Sequence, residues 1–116
     1  MKFQAIDPPR KFRPTGAGGP EISHVATVEL KPDEQITIVT EGGAEVDVVR
    51  KEWGFYPLPS LNGRLATFDL YPALVVNKQG RLYLLLAENG KRRVFEDYVS
   101  AEGMTVIAWL GDKAPD

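Results

Sequence analysis

Cysteine is absent from this chain of 116 residues. Disulfides, thiolate catalysis, iron–sulfur clusters and cysteine zinc sites are therefore all excluded. Histidine is nearly absent: His24 is the single imidazole, so a histidine-based metal cluster within one chain is excluded. No metal and no cofactor are expected. Charge of one sign is lacking too, with 14 Lys and Arg against 16 Asp and Glu and a formal net charge of −2. That balance supplies no global pull toward nucleic acid or an anionic membrane, and neither is expected as a partner. No apolar run approaches the ~20 residues of a membrane span. The opening stretch MKFQAIDPPRKFRP lacks the apolar block of a signal peptide. A soluble, cytoplasmic protein is the expectation.

Phosphate cradles are missing as well. Neither a GxGxxG after a strand nor a GxxxxGK[ST] occurs, and the glycine-rich GAGGP runs into Pro20 with no helix after it. No internal repeat or low-complexity tract is present. What remains is ordinary globular material, 43% apolar and 26% charged, enough for one core without a covalent staple.

Residues 1–20 carry Pro8, Pro9, Pro14 and Pro20, three glycines, and the bases Lys2, Arg10, Lys11 and Arg13 against one acid. Proline withholds ladder donors and glycine adds chain entropy, so an irregular N-terminal arm is expected here. From Glu21 the texture changes to strands. EISHVATVEL, QITIVT and AEVDVVR alternate apolar and polar residues and are separated by the turn sequences KPDE and EGG. They read as an antiparallel meander wetted on one side. PALVVN and RLYLLLAE are apolar on both faces and flank the turn Asn77-Lys78-Gln79-Gly80. This pair is expected to be a central hairpin covered on both sides.

One helix is expected over GKRRVFEDYVSAEG, starting at Asn89 or Gly90. Val94, Phe95, Tyr98, Val99 and Ala101 form its stripe, and Gly103 ends it in the left-handed region. MTVIAWL reads as a last strand. The fold class is α+β: about six mostly antiparallel strands in one strongly curled sheet or open barrel, with a single C-terminal helix packed on it. The domain occupies 21–111, and 112–116 is a polar tail.

The chemistry-bearing segment is KEWGFYPLPSLNGRL, residues 51–65. Trp53, Phe55 and Tyr56 crowd together, Pro57 and Pro59 end ladder pairing, and Asn62-Gly63 reads as a tight turn. Apolar walls beside Ser60, Asn62 and the guanidinium fork of Arg64 are what a small-molecule or anion site requires. Taken alone, the aromatics read rather as Trp53 and Phe55 plugging the open end of the sheet, with Asn62 and Arg64 closing a turn; the fork of Arg64 tips the reading toward a site. A second anion site is read in Lys91, Arg92 and Arg93, bases in a first helical turn where acids are the usual occupants. Against it stands the pairing of Arg92 and Arg93 with Glu96 and Asp97 one turn on. Glu45 and Asp47 share a strand face as a possible acid pair, but their alternation with Val46 and Val48 fits a wet sheet face at least as well.

Three functions compete. The first is a noncatalytic domain binding a small molecule or anion at 53–64. The second is a protein-interaction or homo-oligomerising module using its sheet edges. The third is a small isomerase or lyase, for which Tyr56, Tyr83, Glu52 and His24 are the only suspects. Catalysis is the less favoured expectation, since no nucleophile elbow or acid–base pair stands out.

Overall fold

The structure is a computed structural model describing all 116 residues. Eight strands and two helices follow in the order β1 (Lys2–Phe12), β2 (Ile22–Glu29), β3 (Gln35–Val39), β4 (Glu45–Lys51), β5 (Gly54–Tyr56), α1 (Arg64–Thr67), β6 (Leu70–Val76), β7 (Leu82–Glu88), α2 (Arg92–Ala101) and β8 (Thr105–Trp109). The molecule is a small, mostly antiparallel β protein with little helix, and no helix is long and apolar enough to cross a membrane. The strands divide among three separate sheets, β1-β2, β3-β4-β5 and β7-β6-β8, where the alternation pattern predicts one curled sheet or open barrel. Two compact units emerge: Met1–Gln35 with Val49–Phe55, and Ile36–Val48 with Tyr56–Asp116.

The first sheet takes in the N-terminal segment. The sequence predicts an irregular arm there, yet Lys2–Phe12 is a strand that pairs antiparallel with β2. The ladder runs from Lys2 opposite Glu29 to Ala5 opposite Ala26, lapses, and resumes with Arg10 opposite His24. Pro8 and Pro9 fall in that lapse, where no donor is needed, which is how a proline-bearing segment stays in a ribbon. β2 has β1 as its one ladder neighbour, and in place of the expected β2-β3-β4 meander stand a β1-β2 ribbon and a β3-β4-β5 sheet. Beyond β2, Lys31-Pro32-Asp33-Glu34 turns the chain: the Lys31 N–H donates to Glu34 Oε1 at 2.7 Å and Asp33 takes a positive φ of 67°. The Asp33 N–H then donates to the Arg50 carbonyl and the Arg50 N–H to that of Glu34.

No residue of this first unit is fully buried. Phe3, Val25, Trp53 and Phe55 are among its exposed apolar side chains. Its arm bases are held by its own acids and rings. Lys2 pairs with Glu29, Lys11 and Arg13 with Glu21, and Arg10 lies over the Phe12 ring at 4.5 Å.

The second unit holds the core. β6 is its central strand, antiparallel to β7 from Leu70 opposite Glu88 to Val76 opposite Leu82, and to β8 on the other side. The β6–β7 turn is the one the sequence predicts. The Gly80 N–H donates to the Asn77 carbonyl, Asn77 Oδ1 accepts from the Gln79 and Arg81 N–H groups, and Gly80 sits at φ 81°. Side chains directly opposite each other share a face. Ala73, Val75, Leu85, Val106 and Trp109 thus face α2, where they pack with Phe95, Val99 and Met104. Phe95 and Trp109 meet at 5.4 Å between ring centroids. α2 begins at Arg92, later than the predicted Asn89 or Gly90, and Gly103 ends it at φ 68° as predicted.

On the opposite face, Leu70 and Leu86 are covered at one end by Ala44, Val46, Leu61 and Leu65. The other end of that face, at Leu82 and Leu84, is bare.

Candidate functional site

The segment read as a binding site resolves into residues of different standing. Trp53 lies in the turn after β4 with 73% of its surface exposed, and Phe55 and Tyr56 of β5 are exposed as well. The rings are therefore out of the core, as a site requires. Trp53 and Phe55 belong to the first unit, whereas Tyr56, Ser60, Asn62 and Arg64 belong to the second. Phe55 borders a solvent-open hollow with Val28, Leu30, Lys31 and Arg50. The Arg50 guanidinium there donates to the Leu30 carbonyl at 3.3 Å.

Asn62-Gly63 lies in a tight turn, as its composition predicts, closed by the Gly63 N–H donating to the Ser60 carbonyl. Gly63 has φ −121° and leads into the single helical turn of α1. Ser60 serves that turn: its Oγ accepts the Arg64 N–H at 2.9 Å, and its carbonyl accepts from Gly63 and Leu65. Asn62 lines a hollow of about 110 Å³ with Leu61, Ala66, Tyr71, Leu110, Asp112 and Lys113. Ligand pockets of drug-sized molecules run to ~300–1,000 Å³, so this hollow admits little beyond ordered water.

Arg64 is the decisive residue of the segment, and it is already engaged. Its Nε donates to Asp47 Oδ2 at 2.5 Å, Nη2 stands 4.0 Å from Glu45, and the guanidinium lies over the Phe68 ring at 4.7 Å. Asp47 also accepts the Thr37 hydroxyl at 2.8 Å. The Arg64 hydrogen bond, then that from Thr37, holds the Asp47 carboxyl below the usual aspartate range against the opposing pull of burial, and Arg64 is raised in turn. Asp47 is only 8% exposed, less than Val46 and Val48 beside it. Sequence alternation treats Asp47 as one of a wet row. The signal that would have found it is a cation seventeen positions on, at the head of α1, and local periodicity carries no such information.

The second anion reading fares similarly. Lys91 pairs with Glu88 at 2.9 Å, which raises its ammonium above the usual lysine range. Arg92 makes the anticipated pairing with Glu96 at 2.7 Å, donates to the Pro115 carbonyl, and lies 5.9 Å from the Trp109 ring. Arg93 makes no ion pair, but the hollow it borders is also lined by Glu96, Asp97 and Asp116, whose charge opposes an anion. The four residues of the enzyme reading sit on separate elements: half-buried His24 on β2, Glu52 in the turn after β4, Tyr56 at the end of β5 and Tyr83 on β7.

The feature that sequence reasoning missed is on β7. Its run LYLLLAE is predicted to be covered on both sides, and it is not. Leu82 is 61%, Tyr83 41% and Leu84 46% exposed, three consecutive residues that span both faces of the strand. β7 is an edge of the β7-β6-β8 sheet, seven residues long, with an unbroken register and neither proline nor charge before Glu88. The opposite edge, β8, is five residues long and broken by a bulge that leaves Ile107 out of register. Bulges and shortness are ways of blunting an edge against pairing. One edge of this sheet is blunted and the other is open.

No protein-family model, curated protein or solved structure matches this chain.

Proposed function

We propose that this protein is a noncatalytic, self-associating interaction module whose contact surface is the open β7 edge of the second unit. The observation that carries this reading is the exposure of Leu82, Tyr83 and Leu84 on both faces of one edge strand that carries no charge before Glu88. A sheet stacked face to face would cover Leu82 and Leu84 but leave Tyr83 in water. A strand added alongside contacts both faces at once and satisfies the outer row of backbone donors and acceptors. Side chains of this kind contribute ~1.5–3 kcal/mol each when fully buried, so the exposed half of a few of them, doubled by symmetry, is of the size needed to hold a dimer at micromolar concentration.

The small-molecule reading of 53–64 draws on the exposed rings of Trp53, Phe55 and Tyr56. It is the weaker reading, because Arg64 already has an acid of its own.

Light scattering on a size-exclusion column tests the proposal. The wild-type chain should elute with at least twice its 12.8 kDa mass, and Leu82→Ser/Leu84→Ser should elute as a monomer with an unchanged circular dichroism spectrum. A wild type that stays monomeric at high micromolar loading refutes it.

A further inference from the structure

Resting on the reading above, we infer that the partner is a second copy of this chain, paired antiparallel through β7 about a two-fold axis at Leu84, giving a continuous sheet β8-β6-β7-β7-β6-β8.

Three observations select this arrangement. The first is charge. β7 is flanked by the cation Arg81 at its start and ends on the acid Glu88. Parallel pairing of two copies would set like charges side by side at each end. Antiparallel pairing sets the basic start of one strand beside the acidic end of the other. Arg81 lies on the face of Tyr83 and Leu85 and Glu88 on that of Leu84 and Leu86, so the attraction acts across the edge without forming an ion pair.

The second is parity. A two-fold axis perpendicular to the sheet keeps each face on its own side, so every residue must pair with one of the same face. The centre must then fall on a residue and not between two. Centring on Leu85 would set Leu82 against the carboxylate of Glu88, and centring on Tyr83 would set Arg81 against Leu85. Centring on Leu84 sets Leu84 against Leu84, Leu82 against Leu86 and Tyr83 against Leu85, with Arg81 opposite Ala87. Every exposed apolar residue of the strand then gains an apolar neighbour.

The third is the contrast between edges. β8 is short and bulged at Ile107, so the assembly closes at two chains and does not extend into a filament.

Because the chain has no cysteine, single-cysteine variants report the register without background. Leu84→Cys, Leu82→Cys and Ile107→Cys all replace exposed residues. In the proposed register the thiols of a Leu84→Cys dimer face each other across the axis. Those of a Leu82→Cys dimer stand about four residues out of step, roughly 14 Å along the strand, beyond disulfide reach. Oxidation with copper phenanthroline should cross-link Leu84→Cys at least tenfold faster than either other variant. In parallel, Leu84→Lys should sediment as a monomer and Ile107→Lys as a dimer. Faster cross-linking of Leu82→Cys or Ile107→Cys, with a wild type that still sediments as a dimer, would overturn this register and leave self-association standing. A wild type that sediments as a monomer would overturn both.

Discussion

A single carboxylate shows how far local pattern can mislead. Asp47 sits where alternation predicts a solvated side chain, yet it is nearly buried and holds both Thr37 and Arg64. Its folded pKa is depressed, so the stability it contributes is complete above the unfolded aspartate value of about 3.9 and is lost as pH falls through the lower, folded value. Arg64→Ala should therefore lower the thermal midpoint by several degrees at pH 7. The gap from wild type should close on acidification below about pH 3.9, as the carboxyl takes up its proton. Thermal melts of both proteins across that range check this; a gap independent of pH would mean the pair is not the source. Leu65 offers a simpler test. It is 0% exposed and anchors the cluster with Ala44 and Leu70, so Leu65→Ala should cost about 2–5 kcal/mol in urea unfolding.

At the scale of elements, most of the second unit was legible. The continuous apolar runs of the β6–β7 hairpin, the turn at Asn77–Gly80 and the stripe of α2 all depend on neighbours within a few residues, and the structure contains each element. Gly103 follows the same logic. It ends α2 at φ 68°, and a Cβ there would meet only Lys78, with Cε at an ordinary 3.5 Å. Gly103→Ala should thus cost about 1–2 kcal/mol from backbone strain alone. Gly42→Ala, with no positive φ and only an ordinary contact of its Cβ with Thr40 Oγ1 at 3.9 Å, should stay within about 0.5 kcal/mol. Chemical denaturation of the two variants side by side is the check.

The illegible elements are those whose identity depends on distant partners. β1 is too rich in proline to read as a strand, because nothing in its sequence tells that Pro8 and Pro9 fall where β2 asks for no donor. Asn62-Gly63 announces its turn, but nothing local tells that the turn leads straight into α1, with Ser60 Oγ accepting the Arg64 N–H.

At the scale of the molecule, strand content and antiparallel sense could be read from the chain, while the number of sheets could not. Sheet number depends on which edges find partners, and β2 found β1. Of the candidate site, the sequence left Trp53 and Phe55 between a plug for the sheet and an exposed wall, and the structure exposes them; the engagement of Arg64 was not legible. The open edge of β7 was visible only as a contradiction: a strand written for cover on two sides whose first three residues are exposed on both. Self-association resolves that contradiction, and by mass action it makes thermal stability depend on concentration. The thermal midpoint should rise steadily as the chain is taken from micromolar to hundreds of micromolar, and calorimetry across that series reads it directly.

Hydrogen exchange followed by NMR on the same series tests the central claim most closely. The outward-facing amides of β7, which β6 does not bond, should become protected as concentration rises, while those on the outer edge of β8 keep one rate throughout. Outward β7 amides that exchange equally fast at every concentration would contradict the account.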